Sequence, residues 1–506
     1  MIASSISSSL KRRRGHGKRR ALVSARCLRK AIFGFIIAVY FGFSWKFFQS
    51  SHNLPETITQ KPEEHTPQIP HQGIGVVRRF DTSPDWKSLH NPRYQNSCLN
   101  FDNSILRPKH GCQVNKDTKI VFCNFDNLRI DASKINMVAR GGEELSEVMG
   151  RPEKDEFPTY QKGAFSTPTK PKFDVPTDYR IGQHYLENVL NALKYPTKKN
   201  EGKLDLSCQK TYPGTTLFIT RYEYVNLYHT LTDWWNAFMV LPRTTKTKGL
   251  LRGLADFSVG FSPKTSNDKK TEETVVQKPD RVVFLDGHAK GLLDSAWQTL
   301  FGDCHFIQHI GESTGGGGIC FERAIFVPPG YKSPILKDYE REACVDKELA
   351  KAFSDFVLND YGLLSSQVVK GNVVVIDRQP FVSHPRSDPS KAARRFHDSQ
   401  IDELQKQLGA IPGVNVRLIR LETLSFREQL ELIRKTHVLI GMHGAGLSHL
   451  AFMDETQSHS IEFTSNANEH FVYLSEWKGM DHKILELSDD EIDEAVRLVE
   501  QLMNGQ

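Results

Sequence analysis

From residue 98 onward, short runs of β-branched and aliphatic residues recur, each bounded by glycine, proline or charge. They are KIVFC around Val121, TTLFIT around Phe218, RVVFLDG around Phe284, NVVVIDR around Val374, VNVRLIR around Leu418 and HVLIG around Leu439. Apolar runs without alternation are the pattern of parallel strands buried on both faces. Between the last two the period changes. In LSFREQLELIRKTH, Phe426, Leu430 and Ile433 fall at helical spacing, and Ser425 with Glu428 forms a capping-box start. Strand, helix and strand in this order predict a βαβ unit, so the carboxyl-terminal half reads as a doubly wound α/β sheet. The length beyond the amino-terminal segments, about 400 residues, predicts two such sheets, with domains at 96–360 and 361–506. The charged stretch Ser262 to Pro279 reads as a surface insertion, and the glycines from Gly315 to Gly318 as a flexible loop.

The amino terminus has a different pattern. Residues 31–48 begin with the uncharged run AIFGFIIAVYFGFSW, which at helical rise spans roughly 22 Å, or roughly 27 Å with Lys46, Phe47 and Phe48 included. This predicts a signal-anchor helix suited to a thin early-secretory bilayer; a cleaved signal peptide and an organellar import sequence are the competing readings. Residues 1–30 hold ten Lys and Arg and no Asp or Glu, which places this tail in the cytosol and everything after the anchor in the lumen. Residues 49–95, rich in Pro, His, Ser, Thr and Gln, read as an extended stem.

The charge changes the picture once it is divided. The whole chain of 506 residues carries +6, but without the tail the remainder carries −4. A nucleic-acid enzyme needs a positive footprint on its folded part, so that class is excluded. Of eight cysteines, Cys27 lies in the tail, and the other seven allow three disulfides and one free thiol. None forms a C-x-x-C pair, and no N-x-S/T sequon occurs.

Three stretches carry candidate chemistry. In VLIGMHGAGLSHLAFM a strand runs into His443, after which Gly444, Ala445 and Gly446 permit a tight turn into an apolar helical segment. Exposed N–H groups at such a strand end suit a phosphate. His443 and His449 are unusual choices for a merely structural turn. In EYVNLYHTLTDWWNAF, Asn226, His229, Asp233 and Asn236 recur at helical steps beside aromatics, the setting of a carboxylate base or equally of a solvated polar face. After the Val374 run, Arg378, His384, Arg386, Lys391, Arg394 and Arg395 make a basic cluster that suits a diphosphate, with a solvated basic face as the alternative. No two Asp residues are separated by a single residue, so an Asp-x-Asp metal site is absent and no metal is expected.

Taken in order, EYVNLYHTLTDWWNAF, VVFLDGH, FERAIFVPPGY, SHPR with Lys391 and Arg395, REQLELIRKTHVLIGMHGAGLSHL and EWKGMDH resemble glycosyltransferase family 61. EWKGMDH and FERAIFVPPGY point to its plant-type N-glycan β-1,2-xylosyltransferases, whereas FCNFDNLRID is similar to the broader family, including lumenal O-GlcNAc transferases. The resemblance implies a GT-B architecture of two Rossmann-like domains facing a cleft. It implies an inverting, metal-free transfer of xylose from UDP-xylose to the core β-mannose of an N-glycan on a glycoprotein, in the Golgi lumen, by a single-pass type II membrane protein. In that scheme Asp233 is the base with His229 assisting. Arg378 and Lys391 or Arg395 hold the diphosphate. His443, Gly444, Ala445 and Gly446 line the nucleotide site, and Glu462 bonds the ribose or, alternatively, closes a strand-end ion pair. Trp234, Trp235 and Trp477 stack on acceptor sugars or pack in the core. O-GlcNAc transfer to protein, pentosyl transfer to a cell-wall polysaccharide and a non-catalytic glycan-binding protein are the rival functions.

Overall fold

In the computed structural model, the described residues are 74–78, 110–114, 121–174, 185–198, 204–241, 243–247, 272–313, 315, 317–330, 347–380, 382–386, 394–464 and 470–504. The tail, the anchor at 31–48 and nearly all of the stem lie outside them, as does Lys391. Among the described residues no helix is long and apolar enough to cross a membrane.

All six apolar runs form strands, and they divide between two sheets. The carboxyl-terminal sheet has five strands, in the spatial order Asn415–Ile419, Asn372–Ile376, Val438–Met442, His459–Thr464, Asp481–Glu486. Every pairing in it is parallel. The run NVVVI is apolar throughout because both of its faces are covered. Val373 and Val375 pack outward against Ile401, Leu404 and Leu408 of the helix Asp398–Gly409, whereas Val374 and Ile376 turn to the opposite core. The helix Phe426–Arg434 starts as expected, with the Ser425 hydroxyl and the Glu428 carboxylate bonding each other's backbone N–H.

The amino-terminal sheet departs from the doubly wound expectation. It runs Asp303–Phe306, Arg281–Phe284, Lys210–Ile219, Gly318–Val327, Val121–Asp131, Gly111–Val114, Lys172–Asp174, with two short strands beside it. The first four are mutually parallel, but Val121–Asp131 is antiparallel to the strands on either side of it, Gly318–Val327 and Gly111–Val114. An apolar run reports burial on both faces and not direction, so strand polarity was beyond its reach. Disulfides Cys112–Cys123 and Cys208–Cys320 brace this sheet, and Cys304 is free. Cys98 and Cys344 lie outside the described residues. The expected insertion at 262–279 ends in the strand Glu272–Gln277, which pairs with Ile74–Arg78 and Arg243–Thr247.

The two sheets share one core. Leu217, Ile219, Val282, Phe284 and Ile325 of the first, and Val374, Ile376 and Leu439 of the second, belong to a single buried cluster. At its centre lies the helix Leu227–Val240, of which all but one residue is buried. Residues 71–506 accordingly form one compact unit.

Candidate functional site

The carboxyl-terminal sheet places its first strand in sequence, Asn372–Ile376, between the second and the third. Connections therefore leave in opposite directions from it and from Val438–Met442, which opens a crevice at their carboxyl ends, where ligands of such sheets bind. The residues at those two ends are Arg378 and His443 to Gly446, and the fold brings them together. Arg378 Nη1 donates to the His443 carbonyl at 3.0 Å. The guanidinium lies close against Gly444, so a Cβ there would displace the Arg378 tip. Burial, together with the charge of Arg394, lowers the Arg378 pKa, the sign of a cation set to receive an anion. Arg395 reaches Gln379, next to Arg378, at 3.3 Å. The segment after the turn, Ala445–Phe452, is a 3₁₀ helix and not an α-helix.

His449, singled out by sequence, holds this turn from beneath. Its Nδ1 donates to the Gly446 carbonyl at 2.8 Å, its Nε2 lies 3.0 Å from Gln429 Oε1, and burial drives its pKa down to about 4. Glu462 requires a correction. It is fully buried, with one oxygen bonded to His443 Nδ1 and the other 2.9 Å from His482 Nε2, so neither faces a ribose. Burial opposes its charge, but these two hydrogen bonds outweigh burial and lower its pKa. His482 and Ser460, 2.8 Å apart, were missed. The signal existed: Ser460 and Glu462 alternate onto one strand face, and Ser460 stands opposite His482 in the register.

The helix Leu227–Val240 uses its polar positions otherwise than a solvated face would. Asn226 caps its start, accepting from Tyr228 N at 3.0 Å. Asn236 Nδ2 donates to Pro328 O at 3.1 Å, and Asp233 accepts from the backbone N–H of Gly330 and, at 3.3 Å, of Tyr222. These bonds dock the VPPG segment onto the helix, with Gly330 so close that a Cβ would strike the Thr232 carbonyl. Asp233 is 1% exposed, and burial raises its pKa to about 8. His229, at the first turn, is half-buried against the rings of Tyr222 and Tyr228. Its Nδ1 has no partner, and burial lowers its pKa.

The three tryptophans belong to the core, which corrects their expected stacking on sugars. Trp234, Trp235 and Trp477 are 0%, 3% and 5% exposed. Trp234 packs edge-on to Trp297 and Phe426, and Trp235 edge-on to Trp477 with ring centroids 4.5 Å apart. Aromatic contact does connect the two halves elsewhere: Tyr228 packs on His470 at 4.8 Å, and His470 lies 6.1 Å from His443.

The SHPR stretch also departs from the expected diphosphate cluster. Arg386 Nη1 donates to the buried Glu156 at 3.0 Å, and the same carboxylate takes Arg151 at 3.2 Å and His288 at 3.0 Å. Pro385 O accepts from Gly150 N, and His384 packs against Tyr224. This loop therefore straps the second sheet to the first, while Arg378, Arg394 and Arg395 remain at the crevice.

Residues 227–459 match the family model Glycosyltransferase 61, from the helix that carries His229 to the strand that carries Glu462. The chain is 26% identical to β-1,2-xylosyltransferase RCN11 of Oryza sativa subsp. japonica over 74% of its own length and 69% of that protein. It is 24% identical to the β-1,2-xylosyltransferase of Arabidopsis thaliana over 75% of its length and 76% of that protein. An EGF domain-specific O-linked N-acetylglucosamine transferase of Xenopus laevis is 40% identical over 148 residues, 27% of this chain and 25% of that one. With its switch-point turn inside the matched span, residues 227–459 form a glycosyltransferase family 61 domain, in a chain similar over about three quarters of its length to plant β-1,2-xylosyltransferases.

Proposed function

We propose that this glycosyltransferase transfers xylose from UDP-xylose, with inversion and without a metal ion, in β-1,2 linkage to the core β-mannose of N-glycans. The observation that carries the reading is the extent of its similarity to the two plant xylosyltransferases, 74% and 75% of the chain, against 27% for the Xenopus transferase. The two sheets serve as the halves of a GT-B arrangement, at 96–360 and 361–506. The Golgi lumen and the anchor at 31–48 belong to the same proposal, supported by the apolar run and its basic flank.

At the donor side, Arg378 and Arg395 bind the diphosphate, with Lys391 completing the cluster. The backbone N–H groups of Ala445 and Gly446 offset the charge that develops on the leaving group, and oriented donors of this kind act strongly because they need no reorganisation. At the acceptor side we assign the base to His229. In its favour are a half-open ring and a burial-lowered pKa that keeps it neutral. Asp233, first in this role by sequence, has both oxygens on backbone N–H groups and acts instead by fixing the VPPG segment.

The test is a donor screen of the full chain with a GlcNAc-terminated N-glycan and UDP-xylose, UDP-GlcNAc or UDP-arabinose, with and without EDTA. Addition of one pentose from UDP-xylose alone, surviving EDTA, is the expected product mass. The 40% identical stretch favours O-GlcNAc transfer as a second reading. GlcNAc appearing on an EGF domain, with the glycan untouched, would establish that reading and remove the first.

A further inference from the structure

Beneath the switch-point turn lies a buried acid flanked by two histidines, and the donor-binding reading leaves it without a task. Glu462 takes a ring N–H from His443 Nδ1 on one oxygen and from His482 Nε2 on the other. Ser460 Oγ stands 2.8 Å from the second nitrogen of His482. A carboxylate only accepts, so each ring must direct a proton at it. His482 is then satisfied as a neutral ring, because its Nδ1 accepts the Ser460 hydroxyl proton. His443 is not satisfied: its Nδ1 is committed to Glu462, its carbonyl to Arg378 and its amide to Phe463 O, while its Nε2 has no hydrogen-bond partner among the described residues.

The charges sharpen the point. With both rings neutral, a fully buried carboxylate lies directly under the turn that is to receive an anionic diphosphate. At separations of a few ångströms in a poorly polarisable interior, such like charges repel strongly. One proton on His443 cancels the carboxylate and turns Nε2 into a charged donor. The groups facing this ring are Glu462 with His482 behind it, His470 at 6.1 Å, Phe471 at 5.1 Å, and Arg378 at its carbonyl, with Tyr228 beyond His470. Of these, Glu462 is the one hydrogen-bonded to the ring itself.

We propose that a nucleoside diphosphate binds this turn together with one proton, taken from solvent onto His443 Nε2, which then donates to a phosphate oxygen; Glu462, His482 and Ser460 are the positioning residues that hold the ring for it. The inference rests on the nucleotide-binding reading of the turn and adds a linkage between donor binding and pH.

The experiment is calorimetric titration of UDP into the purified full chain between about pH 7 and 8, where a terminal phosphate with a pKa near 6 is already ionised. Buffers of different ionisation enthalpy report the proton count. Expected are uptake approaching one proton and an affinity that weakens by up to about tenfold per pH unit. His443→Gln should remove both the uptake and the slope. Glu462→Gln should weaken binding at neutral pH and move the slope to lower pH; if that variant fails to fold, His443→Gln alone decides. UDP binding with no proton uptake and an unchanging affinity overturns the inference but keeps the nucleotide reading. The same result follows if His443→Gln retains the slope, since another group then titrates. No UDP binding at any pH overturns the nucleotide reading and this inference with it.

Discussion

Two regions rich in polar residues among apolar ones stood out in the sequence, and the fold treats them oppositely. The turn after Val438–Met442 sits at a strand edge where two connections diverge, so Arg378, the turn backbone and His443 Nε2 retain unused hydrogen-bonding capacity. The helix Leu227–Val240 sits between two sheets, so Asn226, Asp233 and the Asn236 amide nitrogen are taken up in capping it and in docking the VPPG segment. His229, at the helix start, keeps an unpartnered ring nitrogen, as do Trp234 and Trp235 deeper in the core. A carboxylate on a buried helix is taken up by partners within the protein, whereas polar groups at a sheet's switch point can wait for a ligand.

Substitutions break this comparison in order of size. Trp234→Ala should be the most severe, removing a fully buried indole from the shared core at a cost of about 3–5 kcal/mol, measured by urea unfolding. Arg378→Ala should lower kcat/KM for the UDP-sugar by roughly 10²–10³ with thermal stability nearly unchanged, which separates a binding edge from a packing centre. Asp233→Asn should cost about 1–3 kcal/mol, because an amide cannot accept as well from two backbone N–H groups.

The pH dependence of that third variant carries a sign. Burial raises the Asp233 pKa from an ordinary 3.8 to about 8, so the folded state holds this proton where the unfolded chain releases it. The group's contribution to stability is complete below pH 3.8 and is lost as pH rises through about 8. The gap between wild type and Asp233→Asn should therefore narrow from pH 5 to pH 8 in denaturant titrations, and a gap that widens would contradict the assignment. The smallest effect is expected at Cys304, away from both regions. Burial pushes its thiol up to about 12, so it should resist iodoacetamide at pH 8 until the protein unfolds, and Cys304→Ser should change stability by less than about 1 kcal/mol.

Legibility followed the range of the interactions involved. The strands at Val374 and Leu439, and the helix before the second, were readable because burial on both faces and a local capping box leave marks within a few residues; the strand at Leu418, at the sheet edge and only half-buried, was readable from its β-branched and aliphatic run alone. The HGAG turn was readable for the same reason, its glycines lying in the chain directly after an apolar strand. The partners of Glu462 were not, since His443, Glu462 and His482 lie on three strands and meet only through register. Trp234, Trp235 and Trp477 were ambiguous because a tryptophan has the same local signature in a core as in a sugar site.

By itself the sequence determined six strands and one helix, the doubly wound second sheet, the resemblance to glycosyltransferase family 61 and the basic residues gathered after the Val374 strand, because period, capping and motif order are carried by neighbours along the chain. Tertiary structure alone decided that the first sheet is mixed, that Arg386 straps the sheets together through Glu156 while Arg378 stays at the crevice, and that Asp233 is closed off while His229 is not. Those outcomes depend on which distant segment arrives opposite each side chain, and a buried polar group is assigned its task by whichever partner satisfies it there.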